Sequence, residues 1–248
     1  HAIPPAEMHL AARIAGPPLR LYAGRDDRTG EAIATAVVCG ARSRYYAKRT
    51  EPGWTVGAQL LPGASRALLG VPATAVAERH APLRDFWGEA VDELHGALAH
   101  AGTPDARLDV FERALLAQLR PVAPPPGHVG RAIVALDRGA DLREVLAQAG
   151  CSHRHFIAQF RDATGLAPKR YARLRRFQRV LAQVDARADW SGLAAEHGYC
   201  DQAHLARDFR QFAGLPARFY QRGRLHPRHV PVDSPVRFVQ DRAPPRDH

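Results

Sequence analysis

The stretch Gly198 to Gly214, GYCDQAHLARDFRQFAG, gathers a thiol (Cys200), two carboxylates (Asp201, Asp208), an imidazole (His204) and two guanidinium groups (Arg207, Arg210) in a short reach. Such a set suits either metal or catalytic chemistry, or a polar surface that reads another molecule. Zinc could draw on His197, Cys200 and His204, or, in a related stretch upstream, on Cys151, His153 and His155. Residues two apart on a helix point to different sides, however, each set offers three candidates, and no paired CxxC spacing is present. H-E-x-x-H, G-x-S-x-G and Walker patterns are absent, and PGWTVGAQLLPGASRALLGVPA lacks the lysine and the glycine spacing of a phosphate loop. No catalytic residue, metal or cofactor is therefore assigned, and the expectation is a protein that is not an enzyme.

Charge points to the other chemistry. The net charge is +10, and its distribution is uneven. Residues 1–127 carry 14 Lys and Arg against 13 Asp and Glu, residues 128–222 carry 16 against 9, and residues 223–248 carry 5 against 3. The excess sits in the middle segment, as expected if that segment meets a polyanion such as nucleic acid.

The elements that must position these residues follow from composition and period. A chain of 248 residues, 46% hydrophobic and 24% charged, suits one large or two ordinary domains. No run is apolar and long enough to span a membrane, and no signal peptide is visible. Cys39, Cys151 and Cys200 form no disulfide framework, so the expected compartment is the cytoplasm. PVAPPPG (residues 121–127) cannot continue a helix and reads as a semi-rigid linker. Before it, residues 1 to about 80 read as β-rich. Residues 83–120 read as a helical hairpin, with Phe86, Val91, Leu94 and Leu98 inward, Thr103 and Pro104 starting the second helix, and Leu108, Phe111, Leu115 and Leu119 continuing the apolar stripe. The hairpin packs on the β part and could also form a dimer interface. After residue 222 the Pro-, Arg- and His-rich sequence reads as a flexible basic tail.

The opening stretch has an internal copy. GCSHRHFIAQFRDATGLAPKRY (residues 150–171) aligns with it at an offset of 49: Phe156 with Leu205, Phe160 with Phe209, Arg161 with Arg210, Gly165 with Gly214, Leu166 with Leu215, Tyr171 with Tyr220. Upstream the offset is 48, pairing Gly150 with Gly198 and Ala147 with Ala195. Each copy reads as helix, turn, helix. Asp141 and Ser152 cap the first pair, Asp189 and Asp201 the second, and Gly150 and Gly198 make the left-handed turns. Small alanines at 147 and 195 are expected to let the helices of each unit approach closely. Between the units, Pro168 to Val184 reads as one helix of about 25 Å at about 1.5 Å per residue, with Tyr171, Leu174, Phe177, Val180, Leu181 and Val184 apolar on one side. Two such modules can address successive major grooves about 34 Å apart.

Residues 128–222 resemble the DNA-binding domain of AraC/XylS-type bacterial transcription regulators. GYCDQAHLARDFRQFAG is similar to that family's signature in the second helix-turn-helix, and ATGLAPKRYARLRRFQRVLAQV to the exit of the first module and the linker helix. One departure is Pro216, which stands one place earlier after Gly214 than Pro168 does after Gly165. VGAQLLPGASRALLGVPA also resembles the N-terminal domains of some members, which are sensory or regulatory.

The resemblance implies a base-reading face at Gln202, Ala203 and Arg207, with His204 at its margin; the matching positions of the first module are His153, Arg154 and Ala158. Arg207 can bond guanine and Gln202 adenine, whereas Ala158 offers no hydrogen bond, so the second module is expected to carry most polar readout. Lys169, Arg170, Arg173, Arg176, Arg179 and Arg210 are the candidates for phosphate contact. The fold expected is an α+β N-terminal domain (1–120; β-rich core plus helical hairpin), a proline linker (121–127), an all-α double helix-turn-helix domain (128–222) and the tail (223–248). The function expected is a sequence-specific transcription regulator, an activator by class. Its partners would be double-stranded promoter DNA, a small-molecule effector, RNA polymerase and a second copy of the chain, with no membrane. Alternatives are a DNA-directed enzyme with its chemistry near Cys39, and an architectural DNA binder without effector.

Overall fold

The computed structural model describes residues 1–23, 27–49, 53–184, 188–217 and 219–220; the expected tail lies outside the described residues. The N-terminal part is built on β1 (Met8–Arg13), whose Met8, Leu10 and Ala12 are buried while the residues between them are less so, the period of two expected of a sheet with one face on a core. After β2 (Arg20–Tyr22) and β3 (Glu31–Ala32), β4 (Ala36–Cys39) pairs antiparallel with β1, placing Leu10 opposite Val38. Beyond β5 (Ala47–Lys48), β6 (Thr55–Leu60) takes the other side of β1, and β7 (His80–Pro82) pairs with β4. The result is a four-stranded sheet, β6-β1-β4-β7, beside a small sheet ordered β3-β2-β5.

Helix α1 (Ala64–Leu69) lies between left-handed glycines at 63 and 70 and buries Leu68 and Leu69. A 3-10 turn follows at Ala73–Ala75, and α2 (Arg84–Trp87) is tied back by Trp87 Nε1 donating to the Leu68 carbonyl at 2.8 Å. The expected hairpin is α3 (Ala90–His100) and α4 (Pro104–Ala117). Thr103 caps α4 by accepting from the Ala106 amide at 3.2 Å, with Pro104 in the first turn. The stripe on α4 is narrower than its sequence suggested. Phe111 is buried and Leu115 half-buried, but Leu108 and Leu116 are exposed, because α4 packs on α3 and β6 along one side only, and Leu119, also exposed, lies past the end of the helix.

The proline segment is laid along α1. The Arg120 amide donates to the Ala67 carbonyl at 2.8 Å, and the Pro125 ring sits where a side chain on Gly63 would have to go. Helix α5 (Gly127–Arg138) starts within the expected linker and buries Val129, Ala132, Ile133 and Leu136, an i, i+3, i+4, i+7 face. Five helices follow: α6 (Leu142–Ala147), α7 (His153–Thr164), α8 (Pro168–Gln183), α9 (Trp190–Glu196) and α10 (Gln202–Phe212). The core continues from the sheet into this helical part, so that Leu60 and Leu68 belong to one apolar cluster with Phe156 and Phe177.

A polar group is buried at the edge of the larger sheet. His80 is 8% exposed, its ring edge-on to Tyr46, and its Nδ1 accepts from Arg42 Nη1 at 2.9 Å, which places the ring proton on Nε2. Desolvation, then the Arg42, Lys48 and His9 charges, push its pKa down to about 3. An unfolded histidine titrates near 6.5. Below that pH the unfolded chain takes up a proton that folded His80 refuses, so stability falls as pH falls from 6.5 toward 3, by about 1.4 kcal/mol per pH unit. Between pH 7 and pH 5 this amounts to roughly 2 kcal/mol. Urea unfolding of the wild type and of His80→Gln at the two pH values should show the variant losing less by that amount; equal losses would remove His80 as the cause.

Candidate nucleic-acid interface

The two copies fold as equivalent frames. Asp141 Oδ1 accepts from the Arg143 amide at 2.6 Å to start α6, and Asp189 Oδ1 accepts from the Ser191 amide at 3.0 Å to start α9. Ser152 Oγ accepts from the His155 amide at 3.3 Å to start α7, and Asp201 Oδ1 accepts from the His204 amide at 2.6 Å to start α10. The turns run through Gly150 and Gly198 at φ 67° and 68°, and the second helices end on Gly165 and Gly214 at φ 82° and 70°, all in the region that glycine enters without strain. Ala147 and Ala195 are exposed, which corrects the expectation that they line the close approach. In the first helices and turns of the units the buried alanines are Ala149 and Ala194 instead.

Each second helix turns an aromatic edge inward. On α7, Phe156 and Phe160 are fully buried, and Phe160 meets Tyr171 edge-on at 5.4 Å. On α10, Leu205, Phe209 and Phe212 are buried; Phe177 of α8 packs on Phe209 at 4.8 Å and on Phe212 at 5.1 Å. Pro216 does not upset the last turn. It occupies the position equivalent to Ala167, so that Tyr220 donates its amide to the Pro216 carbonyl as Tyr171 does to Ala167, and both tyrosines are buried.

With the inner faces filled, the outer faces are set by the helical period. Gln202, Ala203 and Arg207 are exposed on α10, and His153, Arg154 and Ala158 on α7, with Ile157 beside them at 39% exposure. His204 stands apart from this group. It is half-buried, edge-on to Tyr199 at 5.0 Å, with Nε2 at 3.5 Å from Arg176 Nη2.

The basic side chains divide. Lys169, Arg170 and Arg210 are exposed; Arg170 Nη1 is 3.8 Å from Glu78 Oε1. Arg173 instead pairs with Asp208, its Nε 2.7 Å and its Nη2 2.5 Å from Oδ1, and lies over the Phe212 ring. Arg176 lies 4.1 Å over the Tyr199 ring and donates to the Gly198 carbonyl at 3.0 Å. Arg179 donates to the Leu136 and Asp137 carbonyls at 3.2 and 3.1 Å, closing the negative end of α5. Arg175 bonds Asp137 at 2.6 Å and Glu7 at 2.7 Å. Along α8 these four arginines hold neighbouring elements, while the cations left open lie in the first turn of α8 and near the end of α10.

The residue that spacing did not flag is Asp208. It is fully buried on α10, accepts from Arg173 and, through Oδ2, from Tyr199 OH at 2.9 Å. Burial, then the Asp208 charge, push the Tyr199 phenol above its ordinary pKa. The available signal was an acid at the i+3 place of an otherwise apolar inward edge: Leu205, Asp208, Phe209, Phe212. Its equivalent in the first copy is Gln159, whose Oε1 lies 2.7 Å from His128 Nε2.

The rival chemistries find little geometry. Among the described residues no three His, Cys, Asp or Glu are placed to hold a metal, and the three cysteines are free. Cys39, at the end of β4, has its thiol pushed up to about 11 by burial, which keeps it protonated and poorly nucleophilic at neutral pH. No helix among the described residues is long and apolar enough to cross a membrane.

Comparison with known proteins places the interface in a class. Residues 145–223 match the family model described as a helix-turn-helix domain, so the segment running from α6 through α10 is a DNA-binding helix-turn-helix domain, of the AraC type that its sequence resembles. No curated protein matches the chain. Among solved structures, a crystal structure of an apo ToxT variant from Vibrio cholerae aligns over 89% of this chain and 90% of its own, at 8% identity and a TM-score of 0.43.

The Asp208 centre gives a direct test. Asp208→Ala strands Arg173 and Tyr199, and, allowing for the partial exposure of Arg173, should cost about 3 kcal/mol of stability. Replacing both charges, Arg173→Leu with Asp208→Leu, should cost clearly less than the sum of the two single losses. Thermal or urea unfolding of the wild type, Asp208→Ala, the two single Leu variants and their double variant reads the difference, and simple additivity in the Leu cycle would show that the pair does not couple the helices.

Proposed function

We propose that the protein is a sequence-specific, DNA-binding transcription regulator whose two modules lay α7 and α10 into successive major grooves. The observation that carries this reading is the pair of equivalent frames, each with its inner edge filled and its outer edge open, in a basic segment. Gln202, Ala203 and Arg207 read bases from α10, and His153, Arg154 and Ala158 from α7. Lys169, Arg170 and Arg210 contact phosphate, whereas Arg173, Arg176 and Arg179 act from behind by fixing the modules. Arg207 and Gln202 supply the bidentate bonds, each worth about 1 to 3 kcal/mol of discrimination. The N-terminal part, residues 1–120, serves sensing and dimerisation, with a small-molecule effector and RNA polymerase as further partners. The protein acts in the cytoplasm, where promoter DNA is reached, a compartment that suits its free thiols.

A duplex enriched by the full-length chain from a random pool provides the probe. Arg207→Ala should lower discrimination at one position by about tenfold or more, and Arg154→Ala by less. If only Arg154→Ala lost discrimination, the ranking of the modules would be reversed. Three phosphate contacts predict that log affinity falls with log salt at a slope of about −3, and a flat response would remove Lys169, Arg170 and Arg210 from the interface.

A second copy is expected on α4 and the turn that follows it, where Leu108, Leu116 and Leu119 are all more than half exposed. Sedimentation should find the wild type dimeric and Leu116→Glu with Leu119→Glu monomeric. A monomeric wild type would discard this interface.

A further inference from the structure

Both modules are gripped by the N-terminal part at equivalent points. At the end of α7, a Cβ on Gly165 would meet the Ala73 carbonyl at 3.2 Å and the Ala41 and Ala77 side chains at 3.4 and 3.5 Å. Just before it, the Gly63 amide donates to the Ala163 carbonyl at 2.8 Å, and Arg66 clasps Asp162 through Nε and Nη2 at 2.9 and 2.6 Å. At the end of α10, a Cβ on Gly214, the repeat equivalent of Gly165, would come 2.6 Å from the Tyr45 ring, and Gln211 Nε2 donates to the Ser43 carbonyl at 3.4 Å. Gly63 and Arg66 at the start of α1 and His1 take part, but the surfaces that meet the two equivalent glycines include two segments that touch each other, 41–46 and 73–78.

The loops are locked to each other. Glu78 holds φ at 61°, a left-handed value that costs a residue with a side chain, and its carboxylate accepts from the Ser43 amide at 3.0 and 3.1 Å and from Ser43 Oγ at 2.5 Å. Its own amide donates to the Ala41 carbonyl at 2.9 Å, and the Val76 carbonyl presses so closely on Gly40 that no side chain fits there. Arg170, in the first turn of α8, approaches the same carboxylate.

The contacts fall at residues 162–165 and 211–214, the far ends of the two helices. The reading residues 153, 154, 158 and 202, 203, 207 stay exposed. A contact that blocked DNA would cover the second group; this one leaves it open and holds the first. Helix α8 attaches the second module through Arg173 and Asp208, and a second attachment about one turn further on, from a different element, restrains the rotation that one anchor leaves.

We propose that loops 41–46 and 73–78 form a splint that fixes the separation and angle of the two modules, and with them the spacing between half-sites that the protein accepts. Tyr45, Ser43 and Glu78 are thus specificity-determining residues remote from DNA, setting spacing and not base preference. The proposal rests on the reading of the chain as a two-module DNA binder.

The test uses the full-length chain and the duplex it enriches from a random pool, with one or two base pairs inserted or removed between the half-sites, and each half-site alone. One base pair displaces a half-site by about 3.4 Å and turns it by about 35°. The wild type should lose about tenfold in affinity per added or removed pair, on the scale of a mismatch. Tyr45→Ala should lose less than about threefold, with isolated half-site affinities unchanged. Because Tyr45→Ala could disturb folding, the surface variant Arg66→Ala with Gln211→Ala is measured beside it and should flatten the profile in the same direction. Identical spacing profiles in wild type and variants overturn the splint alone. Tighter binding by the variants at the best spacing also overturns it, because the contact would then be inhibitory. If the wild type enriches no two-part sequence, the two-module reading itself fails.

Discussion

The helical half depends on a carboxylate with no access to water. Asp208 sits inside α10 and is held there by Arg173 from the linker helix and Tyr199 from the turn before it. A buried charge without its partner is far more costly than a buried pair, so α10 can take up this position only with α8 in register and the turn closed. The same geometry draws the arginines of α8 inward. Arg173 goes to Asp208, Arg176 to the Gly198 carbonyl and the Tyr199 ring, Arg179 to the end of α5, Arg175 to Asp137 and Glu7. The segment that carries most of the chain's net positive charge therefore spends much of it on assembly, and on the linker helix the cations left to solvent are Lys169 and Arg170 in its first turn.

The two modules share a frame and differ in polarity at several positions, among them one adjacent pair that joins the outer face to the inner. Where the second has Arg207 outward and Asp208 inward, the first has Ala158 outward and Gln159 inward. The inner polar place is filled by a neutral contact, Gln159 with His128, in one module and by an ion pair in the other. The exchange preserves net charge within each module while giving the second a strong hydrogen-bond donor at the surface and a charged lock beneath it. Unequal readout and unequal locking thus arise together from the same pair of substitutions on one helical turn.

What was legible in the sequence was local. Caps at Asp141, Ser152, Asp189 and Asp201, turns at Gly150 and Gly198, and the spacing of Phe156 with Phe160 are all set by neighbours within a few residues, so the frames, the order of helices and the outward residues could be read directly. The missed features depend on partners far along the chain. A run of arginines on α8 looks like a solvated face until Asp137, Asp208 and Glu7 are brought to it, and nothing in the run itself distinguishes Arg173 from Lys169. Leu108 fits the helical period and still faces outward, because period gives the face of a helix and not the width of what packs against it, and Leu119 fits the period although the helix has ended two residues before it. Ala147 and Ala195 align in the repeat, but small size is equally suited to an exposed helix surface.

The loop that carries Ser43 and Tyr45 also carries the half-buried Arg42, which meets the buried His80. Arg42 donates to His80, lies over the Tyr46 ring, and keeps a buried Nε without a hydrogen-bond partner. An unsatisfied donor of this kind weakens the closed arrangement, since its desolvation is not returned by a bond. Glu78 adds backbone strain on the neighbouring loop. Both costs are set against the bonds that the two loops make with each other, and each 1.4 kcal/mol of that balance is about tenfold in an equilibrium constant. Linkage is reciprocal: whatever holds these loops closed holds both modules in place, and DNA that fixes both modules must in turn hold the loops closed.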